Sequence, residues 1–167
     1  EKTVTYQWLR DSSGLPVWGD GITEYWVQGP VSIDNPDPVI EEQLRWNPAE
    51  DKNTGDAPGA ADKNYGAVKG TNVKDLCDLV GGMNAGETVF IAGTDGIGRL
   101  FAYKNIYEYS AREGPMVVTW YKNGLYPDTG YSEGMRLIWF ADDSVNPWGY
   151  NIFGNYDWHE AAAPEYW

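Results

Sequence analysis

The sequence predicts an α+β domain, a mixed β-sheet with few helices and long aromatic-rich loops, and three observations lead to that expectation. Val73, Leu76, Cys77 and Val80 recur at i, i+3, i+4 and i+7, while Lys74, Asp75 and Asp78 fall on the opposite face, as in one amphipathic helix. Apolar runs of strand length come after it, alternating at 88–92 and nearly continuous at 116–121 and 135–140. Between these segments lie stretches rich in Gly, Pro, Asp and aromatic residues that have no period.

In chain order, residues 3–9 alternate Val4, Tyr6 and Trp8 against Thr3, Thr5 and Gln7, which predicts a half-buried strand. Ser12-Ser13-Gly14 and Gly19-Asp20-Gly21 punctuate the next stretch. Short strands are expected at 23–27 and 30–33, then a stiff turn at Asn35-Pro36-Asp37-Pro38. Residues 47–65 are polar and aperiodic, the mark of a long exposed loop of the functional or mobile kind. Thr71 or Asn72 can cap the helix and Gly81-Gly82 can end it. After Asn84-Ala85-Gly86 comes the strand at 88–92, which Thr94-Asp95-Gly96 reverses into a partner at 99–103. The strands at 116–121 and 135–140 are long enough to be buried and are joined through Lys122-Asn123-Gly124 and the turn at 126–130. Residues 146–167 carry Trp148, Tyr150, Phe153, Tyr156 and Trp158 among glycines and prolines, which predicts irregular structure wrapped on the core. No fixed period repeats, so a solenoid or propeller is not expected.

A chain of 167 residues with 42% hydrophobic content, nine Trp and twelve Tyr can build one substantial core, so a single domain spanning 1–167 is expected. Its opening on Glu1 in a strand-like run and its Ala-rich tail suggest a domain excised from a longer protein. Twelve Lys and Arg against twenty-five Asp and Glu cannot form a dominant basic field, which disfavours nucleic acid and anionic membrane surfaces as partners. No apolar run approaches the length of a membrane span, and no charged-then-apolar leader is seen. One cysteine excludes an intramolecular disulfide, so an extracellular or cell-surface location is an expectation from acidity, low Lys content and aromatic load alone.

Lys69-Gly70-Thr71, Asp75-Leu76-Cys77-Asp78-Leu79, Asp95-Gly96, Lys122-Asn123-Gly124 and Gly134-Met135-Arg136-Leu137-Ile138 stand in an order that resembles the sulfite-oxidase-type molybdopterin-binding domain. The likeness covers residues 66–140. The chain also resembles the secreted, Trp-rich proteins of methanogenic archaea. The first resemblance implies a cofactor pocket lined by Lys69, Thr71 and Arg136, with Arg45, Trp46 and Asn47 in the place of the loop that carries the family's metal-ligand cysteine. That loop here, Gln43-Leu44-Arg45-Trp46-Asn47-Pro48, has no cysteine. Cys77 sits at core spacing on the helix, where a thiol behaves as a small buried hydrophobe rather than a ligand. The fold is therefore expected without the family's metal chemistry.

Other chemistry thins out residue by residue. His159 is the lone histidine, flanked by Asp157 and Glu160, and no Gly-x-Ser-x-Gly elbow accompanies it, so it reads more readily as a surface or packing residue than as a base. A zinc or iron site of His and Cys is nearly excluded by count. The run from Gly93 to Gly98 misses the dinucleotide fingerprint and suits a hairpin turn. Asp51, Asn53, Asp56 and Asp62 space oxygen donors somewhat like a calcium loop, although Gly55 and Asp56 stand in the wrong order; weak calcium binding competes here with a plain solvated acidic segment. Asp142-Asp143 is a weaker candidate. Acid pairs such as Glu41-Glu42 lack the separation across a cleft that a glycosidase needs. The Trp and Tyr rows fit either a sugar-stacking platform or a core short of Leu and Ile.

The functional expectation is an extracellular module, ligand-binding or structural, on a cofactor-free molybdopterin-like fold, leaning away from an enzyme. Its ligand, a small molecule or a protein, would be held by Arg45, Trp46, Asn47, Lys69, Thr71 and Arg136. The alternative is a molybdopterin-dependent oxidoreductase that holds its cofactor without a cysteine ligand.

Overall fold

The computed structural model describes residues 1–28, 64–94, 96, 98–109, 114–131, 135–140 and 152–154. Among them are seven strands, β1 (Glu24–Gln28), β2 (Asn64–Asn72), β3 (Thr88–Ala92), β4 (Gly98–Ala102), β5 (Met116–Lys122), β6 (Arg136–Trp139) and β7 (Ile152–Gly154). Three short helices accompany them: α1 (Tyr6–Asp11), α2 (Val73–Asp78) and α3 (Tyr103–Tyr107). Strands β1-β2-β5-β6-β7 curl into a closed barrel, and β3 and β4 form a separate hairpin. All barrel pairings are antiparallel except β1 with β7, so the sheet is mixed. Few helices beside a curled sheet and a small one make an α+β domain.

Strands β5 and β6 explain why these apolar runs are nearly continuous. Their register pairs Met116 with Trp139, Val117 with Ile138 and Val118 with Leu137. Successive side chains point to opposite faces, so alternate pairs enter different cores. Met116, Val118, Leu137 and Trp139 pack with Val73, Phe101 and Ile106 under α2, the hairpin and α3. Val117 and Ile138 pack on the other face with Tyr25, Tyr65, Val68 and Phe140. A strand covered on both sides reads as a run rather than an alternation.

The N-terminal segment differs from its sequence expectation. Residues 6–11 are helical, because Thr5 in extended backbone caps α1 by accepting a hydrogen bond from the Trp8 N–H at 3.2 Å. The period-two pattern that suggested a strand has no sheet to serve: Leu9 is the buried residue of α1, and Tyr6 stacks on Tyr126 with ring centroids 5.8 Å apart. At the central helix Asn72 is the cap, its Oδ1 accepting from the Lys74 N–H at 2.9 Å, while Thr71 still belongs to β2. The helix ends at Asp78, so Val80 lies beyond it and is 61% exposed. Gly82 N–H closes on the Cys77 carbonyl at 2.9 Å, and both Gly81 and Gly82 take positive φ, the expected glycine stop.

Three further elements differ from the sequence expectation. Helix α3 occupies 103–107 directly after β4, its Asn105 side chain reaching back to the Ala102 N–H at 3.1 Å. Strand β7 sits inside the stretch expected to be irregular, where three residues suffice to bridge β6 and β1. Strand β2 is the third: residues 64 and 65, which the sequence places in the long loop, begin it, and 66–72, where no strand is expected, continue it. The strand expected at 30–33 and the rest of the loop at 47–63 lie outside the described residues.

Candidate functional site

Asn123 and Gly124 have φ of 50 and 86, which reverses the chain so that Lys122 and Leu125 exchange backbone hydrogen bonds of 3.0 and 2.9 Å. Positive φ at both central residues is what an Asn-Gly hairpin turn requires. This turn ends β5 at Lys122, whose Nζ stands 4.1 Å from the ring centroid of Tyr65 on β2. Arg136 opens β6 and brings its guanidinium to 5.7 Å from the same ring. Two cations within cation–π range of one tyrosine ring gather charge locally in a chain whose net charge is −13.

Beneath them runs a line of buried hydroxyls. Tyr65 and Tyr131 oxygens are 2.9 Å apart, Tyr131 and Thr119 are 2.8 Å apart, and Thr119 donates to the Arg136 carbonyl at 3.0 Å. A carbonyl can only accept and each hydroxyl has one proton to give. Thr119 therefore receives from Tyr131, and Tyr131 receives from Tyr65. The direction of the chain is set at its Arg136 end, and Tyr65, only 7% exposed, is held as a donor. The Arg136 position thus supplies a backbone anchor for the line and a side chain over its first ring.

Of the residues expected to form a site, three are described. Arg136 pairs with Thr119, which pairs with Gly70, so Arg136 and the Lys69-Gly70-Thr71 segment stand two strand spacings apart, roughly 10 Å. Their side chains meet different neighbours. Lys69 Nζ lies 5.2 Å from the Tyr121 ring, and Thr71, 1% exposed, accepts from Trp120 Nε1 at 3.0 Å. Arg45, Trp46 and Asn47 lie outside the described residues, as do Asp51, Asn53, Asp56, Asp62, Asp142, Asp143 and His159. Among the described residues no group of three or more His, Cys, Asp or Glu is placed to hold a metal ion.

Cys77 is half-buried against the cluster of Val73, Phe101 and Ile106, and burial, with Asp78 beside it, raises its thiol above the ordinary value. Next to it Asp78 accepts from the Tyr107 hydroxyl at 2.6 Å and pairs with Lys74 at 3.0 Å; those two partners pull its carboxyl below the usual range. The local field thus opposes a thiolate at Cys77. Thr71 is thus buried against Trp120, and Cys77 is held as a thiol.

Tyr65, Tyr131 and Thr119 have no place in the sequence expectation, and Lys122 enters it only as the start of the Asn-Gly turn. The Asn-Gly turn after Lys122 marked where β5 stops, but nothing in spacing tells that Tyr65, 57 positions earlier, lies beneath it. Comparison with protein-family models, with curated proteins and with solved structures gives no match to this chain.

Proposed function

We propose that this domain is an extracellular or cell-surface module, ligand-binding or structural, that works without a cofactor. The observation that supports a binding role is the convergence of Lys122 and Arg136 on Tyr65 in an otherwise strongly acidic chain. Guanidinium and ammonium groups carried by a rigid sheet suit an anionic group, with Arg able to grip a carboxylate or phosphate in two places. Lys69, and the Arg45-Trp46-Asn47 segment in the resemblance, would extend the same surface toward a planar anionic ligand. Weak calcium binding by Asp51, Asn53, Asp56 and Asp62 belongs to the same proposal, and a melting temperature raised by millimolar calcium and restored by chelator would support it.

The test is calorimetric titration of the purified chain with inorganic phosphate and with citrate, repeated on Arg136→Ala and Lys122→Ala. Thr119 bonds to the Arg136 backbone carbonyl, so Arg136→Ala leaves that hydrogen bond in place. Saturable binding weakened at least tenfold by either substitution, in variants that melt like the parent, is the expected result. Binding that ignores both substitutions would move the ligand site elsewhere, and none with either anion would leave the structural role. Elemental and ultraviolet-visible analysis of protein from its native host separates the oxidoreductase alternative, which requires molybdenum or tungsten with a pterin chromophore.

A further inference from the structure

We draw no further inference here: the strongest candidate, the exposed apolar face that Phe90 and Leu100 present as a cross-strand pair on the β3–β4 hairpin, carries nothing because nothing in the structure shows what covers it.

Discussion

Asn123 is bonded twice to Ala67: its backbone N–H donates to the Ala67 carbonyl at 2.8 Å, and its side-chain Oδ1 accepts from the Ala67 N–H at 2.7 Å. One left-handed turn residue thereby satisfies both polar groups of a β2 residue where β5 ends. Gly66, at φ +97, lies so close to the Asn123 amide that a Cβ there would overlap it. The turn that places Lys122 over Tyr65 is therefore tied to β2 through its side chain as well as its backbone.

Replacing Asn123 should separate these two contributions. Asn123→Gly keeps the backbone conformation and loses the side-chain bond, at a cost of about 1–3 kcal/mol. Asn123→Ala adds the penalty of positive φ, about 1 kcal/mol more. Urea unfolding of the three proteins should rank them parent, glycine, alanine. Equal midpoints would mean that the Ala67 contact contributes no stability.

Thr71 is expected to act through Trp120. Thr71→Val removes the acceptor for a buried indole N–H and should cost about 1–3 kcal/mol, while Thr71→Ser retains the hydroxyl and should cost less. The near-ultraviolet circular dichroism of the folded valine variant should change in the tryptophan bands. If valine and serine variants unfold alike, the hydrogen bond is not what stabilises the site.

Acid should weaken the loop before β1. Asp20 accepts from the Ile22 N–H and from the Thr23 hydroxyl and N–H, each at 2.7 Å, which holds its carboxyl at about 2. A folded pKa below the unfolded one adds stability that is fully present above about pH 4 and is lost as pH falls toward 2. Asp20→Asn should give a shallower fall in stability over that range. Asp11, Asp78 and Glu87 are also held low, so some acid dependence should persist in the variant. Superimposable acid limbs for the two proteins would refute the assignment.

Cys77 should react slowly with thiol reagents at pH 7 and at the ordinary rate once the chain is unfolded, because burial and Asp78 both raise its pKa. Cys77→Ala should cost roughly 1–2 kcal/mol through lost packing and leave ligand titrations unchanged. Rapid labelling of the folded protein would contradict the packing role.

At the hairpin reversal Gly96 has φ +84, and among the described residues, its chain neighbours aside, no atom lies within 4 Å of where a Cβ would stand. The cost of substitution expected there is the conformational one of positive φ. Gly96→Val should destabilise the hairpin by about 1–2 kcal/mol, with Gly96→Asn falling between it and the parent. A valine variant as stable as the parent would show that this position is not strained.

Much of the architecture was written in local pattern. The turn at Asn123-Gly124, the glycine stop at Gly81-Gly82 and the doubly buried strands β5 and β6 need only neighbouring residues to be recognised, because φ preference and apolar periodicity act within a few positions. The failures fall where a distant partner decides. Residues 3–9 alternate like a strand, yet with Thr5 as a cap and Tyr126 to stack upon, the segment from Tyr6 closes as α1. Three residues at 152–154 carry too little pattern to announce a strand, and they become one because β1 and β6 present edges on either side. The candidate site divides in the same way. Arg136 could be named from its motif, whereas Tyr65, Thr119, Tyr131 and Lys122 join it only once β2, β5 and β6 are side by side. The sequence by itself determined which segments could turn, pair or be buried, since those are short-range properties of the chain. The pairing of β2 with β5 and of β5 with β6 decided which cations share a ring and in which direction the hydroxyls donate, since contacts between residues far apart in sequence exist only once their strands lie side by side.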